Sequence, residues 1–502
     1  MNRGHQLERE RRWGEALSHY ENAIRAFPRQ RSLQQRFESA RLHYDLGRRY
    51  GDRSFRDALD RLSEQKALTL YDEVLLKIQA HYVEVPNWKE LIDRGTNGLE
   101  VALAEAVFLE RNLPNADRQQ VEQFRQVLRR ELGSQVIYTR KDACHAVSRV
   151  AQLAKQRLGV APAAVVLEYT CGAAGLLDPY SAYLTPDQLS EVYSQIEGNF
   201  VGLGVELKTE NGALVIVRVI PGSPAQQSGI RGGDRIVAVD GVSTRDLSTD
   251  EAANLLHGEA DSIVELSVLT PGQAVRQVSV RRERVDVPSI DEAKILDSDY
   301  GIGYLKLTCF QKTTVRDLDA ALWQLHRAGM RGLVIDLRGN PGGLLITAVE
   351  VADKFVDRGI IVSTRGRSLE EDFTYSAHAA GTWQIPLVVL IDQESASAAE
   401  IFAGAIRDFH RGTIVGRRSY GKGSVQGIFP LKSSAAGVRL TTAKFYSPNG
   451  HPYSRVGVEP DILVHGVAKP IDTRTGSQPP AATQDPMLAA ALQAAQQLTA
   501  QR

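Results

Sequence analysis

The chain has 502 residues, 43% hydrophobic and 24% charged, with 60 basic and 60 acidic side chains. That length exceeds one ordinary hydrophobic core, and that composition excludes a fibre or a disordered chain. A net charge of zero supplies no global field for nucleic acid or an anionic membrane, so neither is an expected partner. The local basic pairs Arg281-Arg282 and Arg417-Arg418 read as solvated faces. Three cysteines, Cys144, Cys171 and Cys309, are an odd number without metal-ligand spacing. They argue against a disulfide framework and a zinc site, and neither metal nor cofactor is expected. Met1 to Arg12 is polar, and no run of ~18 apolar residues occurs, so neither a leader nor a membrane span is expected in the chain as written. The sequence opens inside a helical pattern, which leaves the true N-terminus and the compartment open.

From Arg3 to about Leu132 the pattern is helical, with few glycines. Trp13, Ala16, Leu17, Tyr20, Ala23 and Ile24 recur at three- and four-residue spacing before Pro28, which predicts a helix stop there. The order of Trp, Ala, Tyr, Ala and Pro resembles a tetratricopeptide unit, and a single unit must pack on neighbouring helices to bury its face. Tyr71, Val74, Leu75, Ile78 and Tyr82 form a second stripe, and Leu99 to Leu109 a third. Leu177-Asp178-Pro179 breaks the pattern, and Thr185-Pro186-Asp187 starts a short helix.

At Phe200 the character changes. Val201 to Leu207 alternates as a strand, Asn211-Gly212 predicts a hairpin turn, and Leu214 to Ile220 alternates again. Gly232-Gly233-Asp234 precedes a strand over Arg235 to Val239, and Ser248 with Glu251 forms a capping box for a helix ending at Gly258. Ile263 to Leu269 and Arg276 to Val280 are closing strands. This succession resembles a PDZ domain. Gly202-Leu203-Gly204-Val205 matches that family's carboxylate-binding loop, and Pro221-Gly222-Ser223-Pro224-Ala225 to Gly232-Gly233-Asp234-Arg235-Ile236 matches its middle. The resemblance implies a peptide groove between Leu203 to Leu207 and the helix Asp250 to Leu256, with Gly202, Leu203, Gly204, Val205 and Leu255 binding a C-terminal peptide as an added strand.

Beyond Val285, strands and helices alternate: Gly301 to Leu307, helix Val315 to Ala328, Gly332 to Leu337, helix Val349 to Phe355, Ile360 to Arg365, and Leu387 to Ile391. That order predicts an α/β core with a largely parallel sheet and chemistry at the strands' C-terminal ends. Pro470 to Pro486 has linker composition, and a short helix is expected to follow. The expected divisions are a tetratricopeptide-like region 1–65, a helical region 66–195 that belongs with the α/β core, a PDZ domain 196–285, the α/β core 286–466, and a linker with a terminal helix 467–502.

The run Leu387 to Ile391 is apolar throughout and leads through Glu394-Ser395-Ala396-Ser397-Ala398 into a helical segment. A serine at a strand-to-helix turn lies beside unpaired helix N–H groups, which suits a nucleophile and its oxyanion. Lys422 stands between Gly421 and Gly423, so backbone can approach it and leave little room for water. A free lysine amine has a pKa of about 10.4, and burial lowers such a value by as much as ~3–5, enough to make a base. Glu400, the carboxylate nearest Ser397 in sequence, is expected to point along its helix, away from the amine. Ser395 is the rival nucleophile, expected to cap the helix. His410, between Asp408 and Arg411, reads as an exposed structural residue rather than a triad member.

Taken together, Leu177-Asp178-Pro179 with Ser181 and Tyr183, the PDZ segment, Asp336 to Gly343, Ser395 to Ile401, Gly421 to Gln426 and Phe445 to Gly450 occur in the order found in the carboxyl-terminal processing proteases. The resemblance spans roughly residues 65 to 465. It implies a serine endopeptidase that binds proteins by their C-termini, with Ser397 as nucleophile, Lys422 as base and Gln426 positioning the dyad. It places the oxyanion donors on Ala398 and on Gly342, with Gly343 next in line. Ala399 departs from the family, where another serine is common. The family mostly works outside the cytoplasm, and its PDZ domain can gate the active site. The rival reading is a non-catalytic scaffold of helical repeats and a PDZ domain.

Overall fold

The computed structural model describes residues 2–501 apart from 28, 116, 134, 211–212, 246–254, 257 and 466–484. The expected stop at Pro28, the Asn211-Gly212 turn, the Ser248/Glu251 capping box with most of its helix, and nearly all of the linker lie outside the described residues. The chain forms two compact units, Met1–Ser190 with Thr364–Phe373 and Ser424–Phe445, and Glu191–Ser363 with Thr374–Gly423 and Tyr446–Arg502.

The first unit is helical with a small antiparallel sheet. Helix Trp13–Ala26 buries Ala16 and Tyr20 against Leu7, Leu33 and Ala40, so the tetratricopeptide-like unit is closed by the helix before it and the helix after it. Farther on, Pro162–Gly175 runs through the centre of the unit with almost every side chain buried. Glycines make its close crossing possible: a Cβ on Gly172 would lie 2.8 Å from Gly95 Cα. Its one carboxylate, Glu168, is fully buried and pairs with Arg49 and the Tyr50 hydroxyl. The Asp178-Pro179 break is an Asx turn, in which Asp178 accepts from the N–H groups of Tyr180 and Ser181. The strand Ala182–Leu184 that follows pairs antiparallel with Gly437–Tyr446, which also pairs with Ser424–Pro430.

The second unit holds a PDZ domain and the α/β core. In the PDZ domain, Val205–Glu210, Ala213–Val219, Arg235–Val239, Ile263–Leu269 and Arg276–Arg281 form an antiparallel sheet in that order, with Val205–Glu210 at its edge. Leu214, Ile216, Ile236, Val264, Leu266 and Val280 make its core. The expected strand Val201 to Leu207 is interrupted at Leu203-Gly204. Asn199–Gly202 pairs instead with Glu283–Asp286, because Gly204 turns the chain at a φ of 79°. Arg282 corrects the reading of Arg281-Arg282 as a solvated face. Arg282 is 7% exposed and donates to the carbonyls of Leu255 and Leu256 and to Ser262, so its charge is held inside by acceptors.

The core sheet runs Ile290–Asp297, Ile302–Leu307, Gly332–Asp336, Leu387–Ile391, Thr413–Gly416 and Ile462–Leu463. Its first pair is antiparallel and the rest are parallel. The central strands are buried on both faces, as their unbroken apolar runs require. Helix Pro486–Ala500 covers one face with Ala491, Ala494 and Ala495 against Tyr304, Val334 and Leu390. Two expectations shift here. The helix placed at Val349 to Phe355 spans Leu345–Asp353, so it begins directly after the glycine turn. The strand at 360–365, observed as Ile360–Gly366, lies outside this sheet and pairs with Thr374–Ser376. It buries Ile361, Val362 and Thr364 but leaves Ile360 and Arg365 exposed, unlike Leu387–Ile391, which is buried throughout. Among the described residues no helix is long and apolar enough to cross a membrane.

Candidate active site

Parallel strands deliver their C-terminal ends to one edge of the sheet, and two turns meet there. After Ile391, Asp392 caps a tight turn by accepting from the N–H groups of Glu394 and Ser395. Ser395 is fully buried, and its hydroxyl donates to Leu337 O at 2.8 Å, tying the two turns together. Ser397 follows with φ 56° and ψ −115°, a conformation that costs a non-glycine residue strain, and it immediately precedes helix Ala398–Asp408. A serine held this way presents its Oγ beside the first N–H groups of the helix.

Glu400, three residues on, does not point along its helix as expected. It turns back and is fully buried. Oε2 accepts from the N–H of Ser397 at 2.8 Å and from the N–H of Lys422 at 2.9 Å. Oε1 accepts from the N–H of Gly421 and the hydroxyl of Ser419, each at 2.6 Å. The physical reason is the cluster of four donors: a buried carboxylate goes where its lone pairs are filled, whatever its position on the helix. Burial still pushes its pKa up, and the hydrogen bonds from Ser419 and the backbone N–H groups oppose that rise. The Ser-x-x-Glu spacing of a capping box was the signal that could have revealed this.

The lysine loop is held on its other side by residues 453–458. Arg455 N donates to Gly421 O at 2.8 Å, and Val458 N to Ser419 Oγ at 2.6 Å. A Cβ on Gly423 would collide with Ser454 N, so the close backbone approach expected at Gly-Lys-Gly is present. Lys422 itself is half-buried.

The second turn, Asp336 to Gly343, also contacts the serine. Buried Asn340 donates from Nδ2 to Leu307 O at 2.8 Å, and its backbone carbonyl accepts from Ala396 N at 3.0 Å. Gly342 (φ 104°) lies so close that an added Cβ would be 2.7 Å from Ser397 Cβ and 2.9 Å from Ala398 N. Its own N–H, however, donates to Asn340 Oδ1 at 2.8 Å. Gly342 O and Leu344 N both bond to Phe310, so the N–H of Gly343 between them faces the opposite way. Among the described residues the N–H groups of Ala398 and Gly343 have no acceptor.

The remaining predicted positions are placed as follows. Gln426 belongs to the first unit, where Nε2 donates to Ser424 O and Oγ. In the PDZ loop, Leu203 O accepts from Ala225 N and Gly204 O from Ile220 N, both at 2.9 Å. Leu255 packs half-buried on the PDZ core, while the helix leading to it lies outside the described residues. His410 is exposed at φ 51°, as expected of a turn residue.

The family models agree with this layout: residues 301–464 match the peptidase family S41 and residues 215–270 match the PDZ domain. A carboxy-terminal-processing protease of Bartonella bacilliformis is 37% identical over 57% of this chain and 67% of its own length. One from Synechocystis is 37% identical over 58% of this chain and 69% of its own. Among solved structures, the photosystem II D1 C-terminal processing protease is 27% identical, covering 79% of this chain and 93% of that one, with a TM-score of 0.41. The chain is therefore a serine-type peptidase and belongs to the carboxyl-terminal processing proteases of peptidase family S41.

Proposed function

We propose that the enzyme cleaves peptide bonds with Ser397 as nucleophile and Lys422 as general base, in proteins that its PDZ domain holds by the C-terminal tail. The observation that carries the reading is the convergence of the Ser397 and Lys422 N–H groups on one oxygen of buried Glu400. Two residues far apart in sequence are thereby neighbours on a single anchor. The strained backbone of Ser397 favours it over Ser395, whose hydroxyl is buried and engaged by Leu337 O.

In the reaction the neutral amine of Lys422 accepts the Oγ proton as Oγ attacks the peptide carbonyl carbon. The N–H groups of Ala398 and Gly343 receive the oxyanion, Gly343 rather than Gly342 because the latter already donates to Asn340. The ammonium then protonates the leaving amine, and water activated by the same lysine hydrolyses the acyl-enzyme. Gln426 is assigned to positioning the dyad on the family's pattern alone. For capture, the strand Val205–Glu210 lies at the edge of its sheet among the described residues, and a tail adds there as a further strand. The loop Gly202 to Val205 receives its carboxylate, with Leu255 flanking the groove.

The test is cleavage of an unstructured protein with a free C-terminus by wild type, Ser397→Ala and Lys422→Ala. Loss in both variants with unchanged folding is expected. Full activity in Lys422→Ala would remove the dyad assignment.

A further inference from the structure

The C-terminal helix Pro486–Ala500 is joined to the glycine turn by a chain of charge-assisted hydrogen bonds. Its N-cap, Asp485, divides its two oxygens between two tasks. Oδ1 accepts from the N–H groups of Met487 and Leu488, each at 3.1 Å, which starts the helix. Oδ2 accepts from Arg338 Nη1 at 2.6 Å. The rest of the guanidinium grips Asp336, with Nε 3.0 Å from both carboxylate oxygens and Nη2 2.6 Å from Oδ2. Asp336 is 1% exposed and also accepts from the Tyr304 hydroxyl at 3.0 Å. Tyr304 in turn packs in the cluster that receives the alanines of the helix. Arg338 is therefore held between the last residue of a central strand and the first turn of the C-terminal helix.

Arg338 also opens the turn that ends at Gly343. Gly339, Gly342 and Gly343 all have positive φ, at 72°, 104° and 143°. A turn with three such glycines has little conformational preference of its own and takes its shape from its anchors. Its Gly343 end is held by the bonds of Gly342 O and Leu344 N to Phe310 and its middle by Asn340 on Leu307 O and Ala396 N, while its opening end is held by Asp392 on Gly339 N at 3.1 Å and by the side chain of Arg338. Backbone donors to an oxyanion act only when held to about half an ångström, so each anchor bears on the rate.

We propose that Asp485 is a positioning residue for peptide-bond cleavage: by fixing Arg338 it sets the turn that carries the Gly343 N–H, which makes the C-terminal helix part of the catalytic framework. The inference rests on the assignment of Ser397 and Gly343 above. Consistent with it, Arg338 holds the Asp485 carboxyl below the usual range, while burial works against that effect.

Asp485→Asn is the discriminating variant. Asparagine caps a helix as well as aspartate, so the helix start is kept. With its oxygen on the N–H groups of residues 487 and 488, the amide nitrogen faces the guanidinium, where two donors oppose each other. In the full-length enzyme we expect kcat to fall about tenfold, with KM and the melting temperature unchanged, because the lost contact acts on the transition state. In an Arg338→Gln background the same substitution is expected to add nothing, since the effect passes through Arg338. A kcat within twofold of wild type overturns the proposal, as does an equal further loss in the Arg338→Gln background. A kcat loss that tracks a lowered melting temperature would assign Asp485 to anchoring the helix alone, and also overturns it. Ser397→Ala, assayed alongside, separates the outcomes: activity surviving there defeats the site assignment, whereas an unaltered Asp485→Asn defeats only this inference.

Discussion

The serine turn and the PDZ loop each follow a strand, Leu387–Ile391 and Asn199–Gly202, yet they are held in different ways. Around Ser397, buried side chains fix the backbone: Glu400 takes four donors, Asn340 ties the glycine turn to Leu307 O, and Ser395 ties Asp392 to Leu337. The loop Gly202 to Val205 is held mainly by backbone: its ends pair with Glu283 and Val219, and Leu203 O and Gly204 O accept from Ala225 N and Ile220 N. Side chains add the buried Leu203 and a long contact from Ser223 Oγ to Gly204 O at 3.3 Å. Chemistry needs donors and nucleophile fixed against a developing charge, and buried side chains provide that rigidity. Capture of a tail needs only backbone of the right conformation, and main-chain hydrogen bonds with a left-handed glycine suffice.

The comparison breaks most sharply at the serine turn. Ser397→Ala should reduce kcat by on the order of 10⁵-fold, and Lys422→Ala by about 10³- to 10⁴-fold, with tail affinity unchanged in both. Steady-state cleavage and binding of a fluorescent C-terminal peptide measure the two halves separately. A loss of peptide binding that matched the loss of kcat would mean that the two regions do not divide the work.

Glu400→Gln sharpens the comparison at an intermediate scale. Glutamine keeps one acceptor oxygen but brings an NH₂ among four donors, so Ser397 and the lysine loop should separate slightly and kcat should fall by up to about 10²-fold. The same residue gives a pH signature. Because burial raises the folded-state pKa of Glu400, its protonated form is favoured by folding. Its contribution to stability is full below the ordinary carboxylate pKa of about 4.3 and is lost as pH rises through the raised folded-state value. Denaturant unfolding of wild type against Glu400→Gln should therefore show wild type losing ground as pH increases across that window. A stability of wild type relative to Glu400→Gln that rose with pH would contradict a raised folded-state pKa for Glu400.

What could be read from the sequence follows the same division. The strand Leu387–Ile391, the parallel core and the PDZ order were legible because apolar runs and alternation report burial directly. The placement of Ser397 at a helix start was legible from the change of pattern at Ala398. Where buried polar groups find acceptors was not. Glu400 faces donors 19 to 22 residues away, and Arg282 faces carbonyls 26 and 27 residues away. Periodicity is silent on pairings of that range. The engagement of the Gly342 N–H by Asn340 is likewise visible only once the turn is folded, and it is the reason Gly343 is the proposed oxyanion donor. The strand Ile360–Gly366 was assigned to the wrong sheet for a related reason: pattern reveals that a segment is a strand but not its partner.

The smallest expected effect lies in the PDZ loop. Gly204 has φ 79°, and a Cβ there would collide with Ser223 Cβ, so Gly204→Ala must move the loop away from the turn at Pro221 to Ala225. The carbonyl of Gly204 would then leave Ile220 N, and the N–H groups offered to a carboxylate would lose their common direction. Only the long Ser223 Oγ contact and the buried Leu203 oppose that movement, in contrast to the four short hydrogen bonds on Glu400 at the serine turn. KM for a substrate with a free C-terminus should rise about tenfold, the scale of one or two weakened hydrogen bonds to a charged group. The ratio of kcat/KM between a free-acid peptide and its C-terminal amide should shrink by a similar factor. If that ratio stays at its wild-type value while KM rises, the carboxylate is received elsewhere, and the loop is not where tails are recognised.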